Sequence, residues 1–324
     1  RAISHAKLKQ LTPFVAGNGG RVEQSFGPIM AATVTVANLE RAVALYEGAL
    51  FLEVAAQADV PPALARSWGA PAVTGRPCAV LRPGSGTPGW LRLVEAPPVP
   101  AYRPLASVGW AGIEILVADP VGLAGHLAKW SFKVIGPPAP LRSFPDITAM
   151  QVIDPDGAVL YLTDVGAAAQ AIDLPVVSGQ VDRVFIVVLA VPDFPRALAF
   201  YGEHFGLEAG EAHERNIHFE GPGYGLPAPD SPASMTTMRL AGQSLIQVDE
   251  YPKKTPPRPA EDRGLPAGFA ITSFAVASLG PFEERGLAPA MAGEGPPYEG
   301  RRTLTMRGPA GELIELIETG RSAG

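Results

Sequence analysis

The hydrophobic and polar positions near the start of the chain follow two different periods. In Met30–Val36, Thr33 and Thr35 alternate with small apolar residues, which is the period of two typical of a half-buried strand. In Leu39–Leu50, apolar residues recur at the i, i+3, i+4 and i+7 spacing of one helix face, and Asn38 precedes them as a suitable N-cap. The pattern predicts a strand that runs directly into an amphipathic helix.

Further strands are predicted at Gly112–Val117, Val181–Val191 and Phe269–Val276. The longest strongly apolar stretch, Val184–Val191, has eight residues. This is far short of the roughly twenty residues that a membrane-spanning helix requires. We therefore expect no membrane partner.

One stretch of the chain recurs 155 residues later. Val36–Glu53, VANLERAVALYEGALFLE, aligns without gaps with Val191–Glu208, VPDFPRALAFYGEHFGLE, and seven of the 18 positions are identical. Unrelated segments of ordinary composition would share about one or two. Asp154–Leu162, DPDGAVLYL, likewise matches Gly308–Leu316, GPAGELIEL. We interpret the chain as an internal duplication.

The order of strand, turn, helix, glycine-containing corner and further strands resembles the vicinal oxygen chelate superfamily. That superfamily holds glyoxalase I, extradiol dioxygenases, methylmalonyl-CoA epimerase and bleomycin-resistance proteins. The resemblance covers about Ile29–Glu318 and rests on two copies of the opening motif and two of the closing motif. It implies an α+β fold in which four βαβββ units pair into two cup-shaped, incompletely closed mixed β-barrel domains.

The resemblance also divides the chain into segments. The four units are expected at about 29–95, 108–165, 181–250 and 268–318. The domains follow in chain order, with an N-terminal extension at 1–28, a first glyoxalase-like domain at 29–165, a linker at 166–180 and a second glyoxalase-like domain at 181–320.

Metal-binding members of the superfamily carry His, Gln or Glu early on the first strand of each unit and Glu on the last strand. Counting back from the turns assigns the first-strand positions to Ala31, Gly112, Ile186 and Ile271. The last-strand positions are Arg92, Tyr161, Gln247 and Glu315. A divalent metal normally needs three or more protein ligands. We therefore predict no metal-ligand residues and no cofactor, although iron, manganese or zinc at an atypical site stays possible.

Glu315 is the candidate general base, because it alone keeps the family residue. Enclosure by Leu313, Ile314 and Leu316 is expected to raise the pKa of its carboxyl toward neutrality. His218 and Tyr224 belong to a polar cluster between two predicted strands, and we interpret them as catalytic candidates that orient a substrate.

Five residues are candidates for binding the substrate. Arg92 is expected to face into a cup, either as a clamp for a ligand carboxylate or phosphate or in an ion pair with Glu114. Glu114 interrupts an apolar strand, where burial would raise the pKa of its carboxyl. Tyr161 and Gln247 alternate with apolar neighbours and are predicted to point inward, and Arg302 lies in a polar loop.

Composition limits the classes of partner. The 324 residues carry a formal net charge of −6 with 47% apolar content, and no run of basic residues suggests a nucleic-acid surface. Cys78 is the one cysteine, so neither an intrachain disulfide nor a thiolate cluster can form. We expect a soluble, cytoplasmic protein that binds a small molecule, and both a monomer and a homodimer stay possible.

Three functions fit this sequence. The first is a metal-independent lyase or isomerase that acts on a small aromatic or carbonyl compound with Glu315 as general base. The second is a metal-dependent dioxygenase of the extradiol kind with an atypical site. The third is a binding or sequestration protein without catalysis. We favour the first, because the second half carries both Glu315 and the polar cluster.

Overall fold

The computed structural model describes residues 26–141, 144–166, 173–214 and 234–320. Within them the chain builds four units, each of which begins with a long strand and ends with a strand parallel to it. Unit one contains β1 (Phe26–Val36), α1 (Leu39–Leu50), β2 (Glu53–Asp59), α2 (Pro62–Ser67), β3 (Pro77–Arg82) and β4 (Trp90–Glu95). Unit two contains β5 (Gly109–Val117), α3 (Pro120–Leu127), β6 (Lys133–Pro140), β7 (Thr148–Ile153) and β8 (Val159–Asp164).

Units three and four repeat this plan, but unit four has a short 3₁₀ segment in the place of a longer α-helix. Unit three contains β9 (Val181–Val191), α4 (Phe194–Phe205), β10 (His213–Glu214), β11 (Ser234–Leu240) and β12 (Ser244–Glu250). Unit four contains β13 (Phe269–Val276), β14 (Met291–Ala292), β15 (Arg302–Arg307) and β16 (Leu313–Glu318). Single 3₁₀ turns lie at Pro71–Val73, Ala241–Gln243 and Gly280–Arg285.

The predicted helix at Leu39–Leu50 is confirmed, as is its N-cap, because the side chain of Asn38 accepts a hydrogen bond from the backbone N–H of Arg41 at 2.8 Å. Its counterpart α4 ends at Gly206 with φ of 66°, the left-handed conformation that suits glycine. At the same place α1 has Phe51 with φ of 54°. The first strand begins at Phe26, so residues 26–28 belong to the sheet and not to the expected extension.

The two eight-stranded sheets join units that are distant in the sequence. One sheet has the order β14-β15-β16-β13-β1-β4-β3-β2, and the other has the order β10-β11-β12-β9-β5-β8-β7-β6. Unit one therefore pairs with unit four, which we call the first cup, and unit two pairs with unit three, which we call the second cup. The expectation that each cup comes from consecutive units is corrected, because β1 pairs antiparallel with β13 and β5 pairs antiparallel with β9.

The two cups touch at a close backbone approach. The N–H of Val184 donates to the carbonyl of Gly89 at 2.8 Å. A Cβ at Gly89 would lie 2.3 Å from the carbonyl oxygen of Val184, and φ of Gly89 is 108°, so only glycine fits. Trp110 adds a second link between the cups, since its ring N–H donates to the carbonyl of Leu313 at 2.8 Å. Among the described helices, none has the length and apolar character needed to cross a bilayer.

Each long helix is fixed to the closing turn of the next unit by a buried tyrosine. The hydroxyl of Tyr46 donates to Asp154 at 2.9 Å, and the hydroxyl of Tyr201 donates to Glu312 at 2.9 Å. These two acids do not align in the repeated motifs, where Asp154 corresponds to Gly308. A Cβ at Gly308 would lie 2.0 Å from a carboxylate oxygen of Glu312. The Glu312 carboxylate therefore fills the space that an aspartate at 308 would occupy.

This equivalence makes a test of stability possible. Glu312→Ala should lower the free energy of unfolding by about 1–3 kcal/mol, because the buried Tyr201 hydroxyl loses its acceptor. Gly308→Asp alone should also destabilise, since its carboxylate would collide with Glu312. The double variant should recover most of the loss, as measured by urea unfolding. If the double variant is as unstable as the sum of the two single variants, the carboxylates do not share one position.

Candidate functional site

The centre of the first cup is a buried ion pair. Arg92 on β4 donates from Nη2 to Oε2 of Glu315 on β16 at 2.9 Å, and both side chains are almost fully enclosed, with exposed fractions of 2% and 0%. Arg92 also donates from Nε to the hydroxyl of Thr33 at 2.9 Å. The predicted inward direction of Arg92 is correct. Its carboxylate partner is Glu315 and not Glu114, because unit four lies beside unit one.

Two aromatic residues from loops close this cup over the ion pair. The ring N–H of Trp68 and the hydroxyl of Tyr298 each donate to Oε1 of Glu315 at 2.7 Å. Ser273 donates to Oε2 at 2.5 Å. The guanidinium of Arg92 lies 4.6 Å from the ring centroid of Trp68 and also contacts the hydroxyl of Tyr298. All hydrogen-bonding positions of the Glu315 carboxylate are thus used within the chain.

These contacts reverse the expected titration of Glu315. Burial alone would raise the pKa of its carboxyl, but the charge of Arg92 and the hydrogen bonds from Ser273, Trp68 and Tyr298 outweigh burial, so the pKa lies below its usual range. The expectation of a raised pKa is therefore wrong. A carboxylate with a low pKa and four donors is a weak proton acceptor near neutrality.

The second cup carries a carboxyl whose pKa is raised, in contrast to that of Glu315. Glu114 lies on β5 with an exposed fraction of 8%, and its Oε1 accepts a hydrogen bond from Thr163 on β8 at 2.6 Å. Burial raises the pKa of Glu114 from its usual 4.5 to about 7, and the hydrogen bond from Thr163 offsets part of this shift. The raised pKa that the sequence predicts for Glu114 is confirmed. Its proton is exchangeable near neutral pH.

Other polar side chains share the inner face of the second cup, which is the face opposite the apolar core under the helices. Tyr161 lies beside Glu114 on β8, and its ring covers Gly112, where a Cβ would be 2.5 Å from the ring. Gln247 lies two strands from β5 and donates to Asp249 at 3.0 Å. Tyr161 and Gln247 are half-buried, so this face is less enclosed than the first cup.

The sheet register shows which residues lie directly beside the last-strand positions. Adjacent strands lie about 4.8 Å apart, so these residues are the nearest neighbours across the sheet. The residues directly beside the last-strand positions are two residues further along than Ala31, Gly112, Ile186 and Ile271, because counting back from turns does not fix the register. They are Thr33 beside Arg92, Glu114 beside Tyr161, Val188 beside Gln247 and Ser273 beside Glu315.

A divalent metal does not fit either of these sets. In the first cup the guanidinium of Arg92 already balances the Glu315 carboxylate. Among the described residues of the second set, Glu114 and Gln247 offer one carboxylate and one amide, fewer ligands than a metal normally requires. Within the described parts of the chain, no group of three His, Cys, Asp or Glu side chains is arranged to hold a metal ion.

The remaining candidate residues do not join either cluster. Arg302 lies at the start of β15 with 48% of its side chain exposed, and it pairs with Glu283 at 2.7 Å and Glu318 at 3.6 Å. Its side chain lies on the opposite face of β15 from Thr305, which is the neighbour of Glu315, so the expectation that Arg302 binds a ligand in the cup is corrected. His218 and Tyr224 lie outside the described residues.

A surface groove of about 490 Å³ lies between the ends of units one and two. Its polar side chains are already engaged, since Arg41 pairs with Asp156 at 2.9 Å and the hydroxyl of Tyr102 donates to the carbonyl of Gly157 at 2.8 Å. We therefore place the candidate site on the inner face of the second cup and not in this groove.

Several residues of the two clusters are absent from the sequence-based candidates, among them Trp68, Tyr298, Ser273 and Thr163. Trp68 and Tyr298 lie in segments without regular periodicity, so alternation does not indicate where their side chains point. Ser273 follows Thr272 directly in a predicted strand, so alternation does not decide which of the two points inward. Thr163 follows Tyr161 by two residues with the apolar Leu162 between them, and this spacing was the available signal for its inward direction.

The paired βαβββ units give this chain the vicinal oxygen chelate fold, as the resemblance implied. Glyoxalase I from Zea mays is similar in structure, with 17% identity, a TM-score of 0.59 and coverage of 91% of this chain and 92% of that chain. A mutant of the same maize enzyme gives 15% identity, a TM-score of 0.61 and coverage of 91% and 94%.

A putative dioxygenase from Bacillus subtilis is also similar in structure, with 14% identity, a TM-score of 0.59 and coverage of 91% of this chain and 86% of that chain. Identities this low establish the fold alone. No protein-family model and no curated protein sequence matches the chain.

The ion pair of the first cup should be essential for stability. Arg92→Met leaves a buried carboxylate without its counter-charge, so we expect the free energy of unfolding to fall by about 3–5 kcal/mol in urea titrations. The double variant Arg92→Met/Glu315→Leu should lose less than Arg92→Met, because no unpaired charge then remains. Arg302→Met removes an exposed arginine of an ion pair and should cost much less than Arg92→Met. A loss in Arg92→Met as small as in Arg302→Met would contradict this role.

The raised pKa of Glu114 should make stability depend on pH. The unfolded chain releases this proton near pH 4.5 and the folded chain near pH 7, so stability is lost as the pH rises through this window. Glu114→Gln stays uncharged, so relative to wild type it should gain roughly 3 kcal/mol of unfolding free energy between pH 4 and pH 8. Urea titrations at these two pH values measure the gain. An equal difference between the two proteins at both pH values would show that the pKa of Glu114 is not raised.

Proposed function

We propose that the second cup is a small-molecule site in which Glu114 transfers a proton without a metal. The observation that carries this proposal is a buried carboxyl with a single neutral hydrogen-bond partner on the inner face of the cup, a setting that raises its pKa to about 7. A group with this pKa is populated in both its acid and its base form near neutrality, which is the condition for efficient proton transfer. We thus assign to Glu114 the general-base role that was expected of Glu315.

The neighbouring residues suit a carbonyl compound. If the Glu114 carboxylate removes a proton from a carbon next to a carbonyl, negative charge develops on the carbonyl oxygen. The amide of Gln247 and the hydroxyl of Tyr161 are polar groups on the same face that can donate hydrogen bonds to such an oxygen. Returning the proton to a neighbouring atom completes an isomerisation, and loss of a leaving group completes a lyase reaction.

The first cup has a structural role in this proposal. Its cation, its carboxylate and its two loop aromatics satisfy one another, so we expect one ligand per chain and not two. We also treat the two halves as copies of one ancestral pair of units, in support of which the tyrosine–carboxylate contacts of α1 and α4 have matching geometry. The fold of glyoxalase I is compatible with this proposal and does not identify the substrate.

Hydrogen–deuterium exchange tests the proposal before any product is known. Small ketones, aldehydes and phenyl ketones are incubated with the protein in D₂O, and the loss of the proton next to the carbonyl is followed by ¹H NMR. We expect wild-type protein to catalyse exchange in at least one compound. Glu114→Gln should slow this exchange by about 10²-fold or more. Glu53→Gln, which changes an exposed carboxylate, is the matched control and should not alter it.

Addition of EDTA distinguishes metal-free proton transfer from the metal-dependent alternative. Exchange that persists with EDTA supports proton transfer by the chain itself, whereas its loss would overturn metal independence and favour the dioxygenase-like alternative.

The second candidate function is binding without catalysis. The first cup favours this function because its Arg92 and Glu315 are enclosed and paired with each other. A compound that binds once per chain without exchange would support that candidate.

A further inference from the structure

Thr163 makes the hydrogen bond that fixes the Glu114 carboxyl. It lies on β8 two residues after Tyr161, on the same inner face, and its exposed fraction is 1%. Its hydroxyl lies 2.6 Å from Oε1 of Glu114 and donates to that oxygen. A β-branched side chain has restricted χ1 rotation, and burial restricts it further, so packing limits the directions in which the donor can point.

The other oxygen of Glu114 has no hydrogen-bond partner among the described residues. On β5 the neighbours on the inner face are Gly112 and Leu116, and on β9 the residue paired with Glu114 is Ile186. Tyr161 is the titratable side chain next to it on β8. Burial and the hydrogen bond from Thr163 account for the pKa shift of Glu114, with no contribution from a charged side chain among the described residues, and 8% of its surface stays exposed.

We infer that Thr163 is a positioning residue, which holds Oε1 of Glu114 and thereby presents Oε2 to the ligand as the atom that gives or takes the proton. This inference rests on the proposed function of the second cup. In the neutral carboxyl, the Thr163 hydroxyl donates to the carbonyl oxygen Oε1, so the acid proton resides on Oε2. In the carboxylate, the same bond leaves the Oε2 lone pairs free to accept a proton.

The inference also restricts the ligand. A neutral Glu114 donates from Oε2, so the bound compound must bring a hydrogen-bond acceptor such as a carbonyl or hydroxyl oxygen to that atom. An ionised ligand group there would lack a cationic partner on β5, β8 or β9 within the described residues. The favoured compound is therefore an uncharged carbonyl or hydroxyl compound.

The test is the titration of the Glu114 carboxyl itself. Protein labelled with ¹³C at the glutamate side-chain carboxyl is titrated by NMR, and the Glu114 signal is assigned as the one absent from Glu114→Gln. Thr163→Val keeps the shape but loses the donor, so the pKa of Glu114 should rise by about one unit. Thr163→Ser keeps the hydroxyl and should leave the pKa near its wild-type value. Thr237→Val changes another inner-face threonine and is the matched control.

A pKa that is unchanged in Thr163→Val, or shifted equally in Thr163→Ser, would overturn the positioning role. In the exchange assay, the pH profile of Thr163→Val should move upward by the same amount as the pKa. A shifted pKa together with unaltered exchange in Glu114→Gln would overturn the proposed function, while the hydrogen bond from Thr163 would stand.

Discussion

The structure depends on the antiparallel pairing of the first strands of its units. Because β1 pairs with β13 and β5 pairs with β9, each cup combines a unit from each half of the chain. The pairing brings Arg92 within hydrogen-bonding distance of Glu315, 223 residues away in the sequence. The buried cluster of the first cup is a product of this pairing, whereas Glu114 and Thr163 of the second cup lie on neighbouring strands of the same unit.

The two cups hold buried carboxyls whose pKa values shift in opposite directions. Glu315 receives hydrogen bonds from four groups, one of which is a cation, so its charged form is favoured despite complete burial. Glu114 is also buried but receives one neutral hydrogen bond, so burial dominates and its neutral form is favoured near pH 7. The difference lies in the partners and not in the depth of burial. An ion pair with all its hydrogen bonds made favours the charged carboxylate, whereas a carboxyl without a counter-charge can exchange a proton near neutral pH.

Local patterns predicted the local structure well. The helix at Leu39–Leu50, its cap at Asn38 and the strand at Phe269–Val276 follow from spacing and residue type, which act over a few residues. The fold class was predicted from the repeated opening and closing motifs. The order of units in the sheets was not, because strand pairing between distant units leaves no trace in local periodicity.

The same limit explains the outcome at the candidate site. The titration of Glu114 was predictable from an acid in an apolar strand, since its partners are few and lie on the neighbouring strand. The titration of Glu315 was not, because it depends on Arg92, which only the pairing of unit one with unit four brings close. Trp68 and Tyr298 lay beyond prediction for a related reason. Their segments show no periodic pattern in the sequence. The direction of each side chain is set by the residues of the cup against which it packs.

The tyrosine–carboxylate contacts are a feature that the two halves of this chain share. Asp154 and Glu312 occupy different places in the repeated turn, yet both accept a hydrogen bond from a helix tyrosine and bind backbone N–H groups of that turn. What persists is the position of the carboxyl group in space and not the position of the residue in the sequence. The same reasoning applies to the ligand positions of the cups, where Arg92 supplies the cation in one and Glu114 stands without a counter-charge in the other. Function in a chain of this fold should therefore be sought from the side chains that meet in space, because a residue-by-residue comparison of motifs selects Glu315 and passes over Glu114.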